Sequence, residues 1–136
     1  MKKKVLEFAR TELVKSPITS TVRDLAKIMK GGIIGSVFLT DEKGKIKGMV
    51  TDKVIFDLIA EGKNPLEAKP ADLMEKIIMV DQDMPALDAL ALMNEKNVTR
   101  LGIKNKAGEL IGIVSKKKLQ FEQLRIMKGE LGIEEG

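Results

Sequence analysis

The sequence predicts a mixed α/β (α+β) fold in which two similar β-α-β-β-α repeats pack as one module. The first observation is an internal match, because residues 22–53 align without a gap on residues 86–117 after a shift of 64 positions (86 − 22). The second is that substituted positions keep their apolar or hydroxyl character between the two copies. The paired residues are Ile34 and Val98, Val37 and Leu101, Leu39 and Ile103, Ile46 and Leu110, Met49 and Ile113, and Thr51 and Ser115.

The N-terminal segment and the start of the first copy have helix patterns. Residues 2–14 carry apolar side chains at helical spacing, and Pro17 ends this predicted helix. Thr21 followed by Asp24 has the spacing of a capping box, which predicts a second helix. The Gly31-Gly32 pair marks the end of that helix.

A β-hairpin and a further helix complete the first copy. The β-rich runs 35–39 and 45–50 flank a turn that contains Gly44, which is typical of a hairpin. Thr51 follows at the change from strand to helix, and the apolar face of the next helix ends at Gly62.

The second copy repeats this order of elements. We expect Asp83 to cap its first helix. The runs 100–104 and 109–114 are predicted to form its hairpin, and Ser115 is predicted to open its last helix.

Upstream of the match, the alignment of the two copies changes. Residues 12–14 resemble residues 72–74 at an offset of 60, which predicts that the first copy lacks four residues (64 − 60) before its helix. We predict an N-terminal helix plus first repeat over residues 1–64, a second repeat over 65–128, and a flexible tail over 129–136.

The composition argues against several classes of function. Cysteine and histidine are absent, which removes disulfides, thiolate metal sites and the commonest acid–base group. We therefore expect no enzyme, and we predict no catalytic or metal-binding residue. The net charge of +4 is modest, and the absence of Tyr and Trp gives nucleic-acid binding little support. Lacking a long apolar run or a signal-peptide pattern, the chain is expected to be cytoplasmic and outside membranes.

The repeated pattern also resembles a known family. The strand that ends in Gly48-Met49-Val50-Thr51, and again in Gly112-Ile113-Val114-Ser115, is similar to that of a tandem pair of cystathionine-β-synthase (CBS) domains, also called a Bateman module. Asp72-Leu73-Met74 and the run 98–103 look like the family pattern too. The resemblance implies two pseudo-symmetric halves with one cleft in each half, and a module that pairs again as a homodimer.

The resemblance further implies a regulatory sensor. Its expected ligands are AMP, ADP, ATP or S-adenosylmethionine in an interdomain cleft, and no cofactor is required. A hydroxyl residue at a helix N-terminus suits such a ligand, because free backbone N–H groups and the helix dipole favour phosphate or ribose oxygens. Relatives generally hold the ribose with an aspartate three residues after the hydroxyl, where this chain has Val54 and Lys118. Asp52 is the candidate replacement.

Carried over residue by residue, the resemblance predicts ten ligand-binding residues. They are Ile18, Thr19, Thr51, Asp52, Ile78, Val80, Thr99, Arg100, Ser115 and Lys118. Thr51 and Ser115 are equally consistent with helix caps, and Arg100 is also consistent with an ion pair to Glu109 across the hairpin. If a ligand binds, the positive charge of Arg100 and Lys118 predicts that the second cleft is preferred.

Two other functions remain open at this stage. An interaction scaffold that forms dimers and docks on a partner protein, without a ligand, is favoured by Val54 and Lys118. A nucleic-acid-binding protein is supported by net charge alone. The three consecutive lysines 116–118 spread over about 200° of a helix, so they cannot form one basic stripe.

Overall fold

A computed structural model describes residues 3–130 and residue 132, and the chain divides into two compact units. The first-repeat unit consists of residues 13–77, and the second-repeat unit consists of residues 3–12 together with residues from 78 onward. The first-repeat unit contains β1 (Lys15–Pro17), α1 (Val22–Gly32), β2 (Ser36–Thr40), β3 (Ile46–Thr51), α2 (Asp52–Ala60) and α3 (Pro70–Leu73). The second-repeat unit contains β4 (Met79–Asp81), α4 (Ala86–Lys96), β5 (Arg100–Lys104), β6 (Leu110–Ser115) and α5 (Lys116–Glu130).

The first-repeat unit is built on a three-stranded sheet. β1 pairs in parallel with β2, and β2 pairs with β3 as an antiparallel hairpin, as the sequence predicts. Thr21 is the N-cap of α1: its hydroxyl accepts from the Asp24 backbone N–H at 3.1 Å, and the Asp24 carboxylate accepts from the Thr21 N–H at 3.0 Å. The predicted capping box is therefore confirmed. The core of this unit forms around Leu25, Val37 and Leu39, all fully buried.

The second-repeat unit repeats the same order of strands and helices. β4 pairs in parallel with β5, and β5 with β6 as an antiparallel hairpin. Even the irregularity in the hairpin recurs, between Leu39 and Thr40 in one sheet and between Ile103 and Lys104 in the other. The duplicated supersecondary unit that the sequence predicts is thus present in the fold.

The two repeats keep the 64-residue offset further upstream than the sequence suggested. The Phe38 N–H donates to the Val14 carbonyl at 2.9 Å, and at positions 64 higher the Gly102 N–H donates to the Ile78 carbonyl at 2.9 Å. β1 and β4 are likewise 64 residues apart. The predicted offset of 60, with four residues missing before α1, is wrong, since no gap separates these strands.

The predicted N-terminal helix is also wrong. The described part of this segment has a single 3-10 turn at Val5–Phe8. Val5 is fully buried in the core of the second-repeat unit, and its N–H donates to the Met84 carbonyl at 2.8 Å. Further along, Arg10 and Ile113 exchange two backbone hydrogen bonds of 2.9 and 3.0 Å. Edge pairing and core burial within this unit therefore replace the helical hydrogen bonds.

This placement changes the division of the chain. The chain passes from one unit to the other after Glu12 and again after Ile77, whereas the sequence suggested a single boundary between residues 64 and 65. The segment preceding β4 has the corresponding role in the first-repeat unit, where Glu75 and Met49 exchange backbone bonds of 2.7 and 3.0 Å. Each sheet thus receives an edge contact from the segment that precedes the other repeat.

The start of α4 differs from the prediction. Asp83 does not cap α4, because Pro85 occupies the N-cap position and the Ala86 N–H donates to the Lys3 carbonyl at 2.9 Å. Asp83 instead pairs with the Lys4 ammonium at 3.1 Å.

Of the predicted tail 129–136, residues 129 and 130 belong to α5, and residue 131 and residues 133–136 lie outside the described residues. No helix within the described residues is both long and apolar enough to span a membrane.

Candidate ligand site

The strand-to-helix junction of the first-repeat unit brings a hydroxyl side chain to a helix N-terminus. Thr51 is the last residue of β3 and lies opposite Ser36 at the start of β2. The next residue, Asp52, begins α2, and its N–H donates to the Gly35 carbonyl at 2.9 Å. The junction is thereby held against the preceding strand, with the first turn of α2 directly after Thr51.

The Thr51 hydroxyl is buried and unsatisfied. Thr51 is only 1% exposed, and its Oγ1 has no hydrogen-bond partner among the described residues. Thr51 occupies the N-cap position of α2 with extended backbone angles, yet its side chain does not cap this helix within the described range. A buried hydroxyl without a partner costs about 1–3 kcal/mol. This structure therefore places an unsatisfied hydroxyl at the N-terminus of α2, without a cap hydrogen bond from Thr51.

The equivalent junction of the second-repeat unit is satisfied internally. Ser115 ends β6 opposite Arg100, and the Lys116 N–H donates to the Thr99 carbonyl at 2.9 Å. The Ser115 hydroxyl accepts a hydrogen bond from the Lys118 backbone N–H at 3.1 Å, so Ser115 caps α5. Of the two interpretations of Ser115 that the sequence left open, the structure shows the cap.

The charged side chains at this second junction also have protein partners. The Lys118 ammonium lies 3.4 Å from one carboxylate oxygen of Glu122, and the Arg125 guanidinium lies 3.3 Å from the other. The Glu122 side chain is only 12% exposed, so both cations neutralise a mostly buried charge. Arg100 donates from Nη1 to the Thr99 carbonyl at 3.2 Å.

Charges near the first junction are arranged differently. Lys53 lies on the exposed side of α2 and pairs with Asp57, one turn later, at 2.9 Å. This hydrogen bond, together with the negative charge of Asp57, raises the pKa of Lys53 above its usual 10.5, and the charge of Glu75 acts in the same direction. Lys53 therefore stays protonated at neutral pH and is engaged within its own helix.

The structure separates some of the predicted site residues. The Ile18 N–H donates to the Thr40 carbonyl at 2.8 Å, which places Ile18 and Thr19 near the far end of β2 from Ser36. Four strand residues span about 13 Å, so these two residues lie well away from Thr51. Thr51 and Asp52, by contrast, are brought together at the junction.

The second-repeat unit brings four predicted site residues into one local group through strand pairing and the hydrogen bonds at its junction. They are Thr99, Arg100, Ser115 and Lys118. Ile78 precedes β4, and its carbonyl is bonded to the Gly102 N–H in the middle of β5. Val80 is a core residue and only 4% exposed. Its side chain packs inside this unit.

Sequence reasoning missed the residues of the first repeat that correspond to Ile78 and Val80. They are Val14 and Ser16, each 64 residues earlier and held in the same strand register. The wrong offset of 60 had assigned that role to Ile18 and Thr19. The gapless 64-residue match, extended upstream, was the signal that could have identified them.

Comparison with protein families agrees with this geometry. A model of the CBS domain matches the chain twice, over residues 5–61 and 71–124. The chain belongs to the CBS domain family. An uncharacterized protein of Methanopyrus kandleri is 35% identical to this CBS pair over 111 residues, which are 80% of this chain and 57% of that protein. The CBS pair thus spans little more than half the length of this relative.

Solved structures show the same fold. A CBS domain protein of Pyrobaculum aerophilum complexed with AMP is 23% identical, with a TM-score of 0.76 over 93% of this CBS pair and 97% of that chain. The CBS domain pair of protein MJ0100, in complex with 5′-methylthioadenosine and S-adenosyl-L-methionine, is 19% identical. Its TM-score is 0.75 over 96% of this chain and 99% of that one. At these identities the likeness establishes the CBS-pair architecture.

Proposed function

We propose that this CBS pair is a regulatory module that binds an adenine nucleotide or a related adenosyl ligand in at least one of its units. The observation that carries the proposal is the buried hydroxyl of Thr51, which has no partner among the described residues and does not cap the N-terminus of α2. A ligand-binding site leaves a polar group without a hydrogen-bond partner in the free protein when the bound ligand is what supplies that partner.

The chemistry of the junction suits oxygen atoms of a nucleotide. The first-turn N–H groups of a helix are donors without helical partners, and the helix dipole places partial positive charge there. A phosphate or ribose oxygen can accept from these N–H groups and from a hydroxyl together. AMP, ADP, ATP and S-adenosylmethionine share the adenosyl group, and the two similar structures with AMP and with S-adenosyl-L-methionine support this class.

The residues that contact such a ligand remain predictions. Thr51 and Asp52 are candidates in the first-repeat unit, and Thr99, Arg100, Ser115 and Lys118 are candidates in the second. The adenine base is predicted to contact the segment before and within the first strand of a repeat, for which Ile78 and Val14 are the matching positions. A cytoplasmic location and a regulatory, non-catalytic role are part of the same proposal.

Isothermal titration calorimetry tests this function. We expect AMP, ADP, ATP or S-adenosylmethionine to give saturable heat at ligand concentrations up to about 1 mM. A dissociation constant of about 1 mM corresponds to a binding free energy of about −4 kcal/mol. Guanosine monophosphate is the matched control for the base. Absence of heat from every adenosyl ligand at this concentration would overturn the proposal.

A second function is favoured by a different observation. Phe56 is 64% exposed and Ile59 is exposed too, and none of the nine described residues of α2 is buried. α5 exposes Phe121, Leu124 and Met127 at spacings of three residues. Exposed apolar helix faces of this kind mark interaction surfaces. They support a homodimer, and they also fit the alternative of a scaffold that docks on a partner protein without a ligand.

A further inference from the structure

The two strand-to-helix junctions have the same backbone but differ in what satisfies their polar groups. Asp52 and Lys116, at matching positions, donate their N–H groups to Gly35 and Thr99 at the same distance of 2.9 Å. The preceding hydroxyls then diverge: Ser115 accepts from the N–H of Lys118, whereas Thr51 has no partner within the described residues.

The junction of the second-repeat unit is closed by its own side chains. The cap from Ser115 uses the hydroxyl and one first-turn N–H, both of which a ligand oxygen would need. The Lys118 ammonium is held by Glu122, which Arg125 also contacts. A ligand here has to break the cap and separate a cation from a mostly buried carboxylate, with no net gain in hydrogen bonds.

The junction of the first-repeat unit has the opposite balance. The Thr51 hydroxyl is buried without a partner in the described structure, and the Thr51 side chain does not cap α2. Lys53 is engaged with Asp57 on the exposed side of the helix. A ligand that reaches the Thr51 hydroxyl breaks no hydrogen bond of that hydroxyl, because none is present within the described residues. Any acceptor oxygen placed here satisfies a donor that the protein alone leaves unsatisfied.

We propose that ligand binding is confined to the first-repeat unit, and that the second-repeat junction has been converted into a self-capped structural element. In this proposal, an acceptor oxygen of the adenosyl ligand bonds to the Thr51 hydroxyl and to the first-turn N–H groups of α2. The inference rests on the proposed function and assigns it to one unit. It reverses the sequence-based expectation that Arg100 and Lys118 direct the ligand to the second repeat.

Titration of the full chain with AMP and S-adenosylmethionine, combined with matched substitutions, tests the assignment. We expect one ligand per chain. Thr51→Val removes the hydroxyl at almost constant shape, so we expect at least about a tenfold loss of affinity with an unchanged or raised Tm of the free protein. Thr51→Ser keeps the hydroxyl and should bind within about threefold of the wild type, which excludes a mere packing effect.

Ser115→Ala is the matched variant of the other unit. It removes a helix cap, so the Tm should fall by a few degrees, and its ligand affinity shows whether the second-repeat junction is used instead. A parallel titration with adenosine identifies the oxygen that Thr51 contacts. If Thr51→Val weakens AMP but not adenosine, the contact is to phosphate; if it weakens both, the contact is to the ribose.

The outcomes separate the two proposals. Two ligands per chain, or a loss of affinity in Ser115→Ala but not in Thr51→Val, overturns the confinement to the first-repeat unit and leaves the adenosyl-binding function standing. No heat from any adenosyl ligand overturns the function, and the inference falls with it.

Discussion

At the scale of single residues, Ile33 has a backbone conformation that its side chain disfavours. It ends α1 in the left-handed region, with φ 52° and ψ 49°, where β-branched residues are rare. The side chain is 90% exposed, so packing does not compensate for the strain. The matching residue after α4 is Asn97, with φ 53°, and asparagine tolerates this region well.

This difference predicts the effect of exchanging the two residues. Ile33→Asn should raise the free energy of unfolding by about 1 kcal/mol, because it relieves the left-handed strain without loss of buried surface. Asn97→Ile should lower it by a similar amount. Urea denaturation followed by circular dichroism measures both, and a stabilising Asn97→Ile would contradict the explanation.

Asp24 has a pH-dependent role at the start of α1. The backbone hydrogen bond from Thr21, followed by that from the Thr21 hydroxyl, lowers the pKa of Asp24 below its usual 3.8. A carboxyl group with a lowered pKa in the folded state stabilises the fold above its unfolded pKa. That contribution is lost as the pH falls through the folded pKa.

We therefore expect Asp24→Asn to lower the Tm at pH 7, and the difference from the wild type to shrink as the pH falls below about 3.8. Thermal melts between pH 7 and pH 3 measure this dependence. Asp88→Asn, at the matching position of α4, is the control, because no described side chain caps that helix. A Tm difference that stays constant with pH would show that the charge of Asp24 is not responsible.

At the scale of elements, both sheets depend on a close approach of the backbone at a glycine. A Cβ atom on Gly48 would lie 3.0 Å from the Glu75 carbonyl oxygen and 3.0 Å from the Met74 sulfur. A Cβ atom on Gly112 would meet the Arg10 carbonyl oxygen at 3.3 Å. The first contact is shorter than side-chain atoms normally allow, and its carbonyl is fixed by hydrogen bonding to Met49.

Gly48→Ala should therefore cost about 1–3 kcal/mol of unfolding free energy, and Gly112→Ala should cost less, because its clash is milder. Gly31→Ala is the matched control: this helical glycine has open space around its Cβ position, so alanine should stabilise by about 0.5–1 kcal/mol. Denaturant titrations give all three values. Equal losses for Gly48→Ala and Gly112→Ala would rule out the edge contact as their cause.

Elements also show where sequence patterns are insufficient. The Thr21/Asp24 capping box and both hairpins were predictable because their signals lie within a few residues. β1 and β4 have three residues each, too few for a periodic signal, so the upstream segments of the two repeats were aligned at an offset of 60 instead of 64. Asp83 was predicted to cap α4, but the Ala86 N–H donates to the carbonyl of Lys3, which is distant in sequence.

At the scale of the whole molecule, the exposed apolar faces of α2 and α5 lead to a prediction about assembly. We expect the wild-type chain to sediment as a homodimer at micromolar concentration. Phe56→Lys or Phe121→Lys should weaken the dimer at least about tenfold, because these exposed aromatic side chains become buried in the expected interface, where a charge is costly.

Analytical ultracentrifugation over a concentration series measures this equilibrium. Gln123→Lys adds the same charge at an exposed polar position of α5 and should leave the dimer intact. A wild-type chain that stays monomeric throughout the series would contradict the homodimer and weaken the scaffold alternative as well.

The sequence by itself determined the duplicated α-β-β-α order, its 64-residue register and the presence of a hydroxyl at each strand-to-helix junction, because these features arise from local patterns. Only the tertiary structure decided which hydroxyl is used as a cap and which is left unsatisfied, as Ser115 and Thr51 show. It also decided that residues 3–12 join the second repeat. Hydrogen-bond satisfaction and edge pairing depend on atoms distant in the chain, which local sequence does not specify.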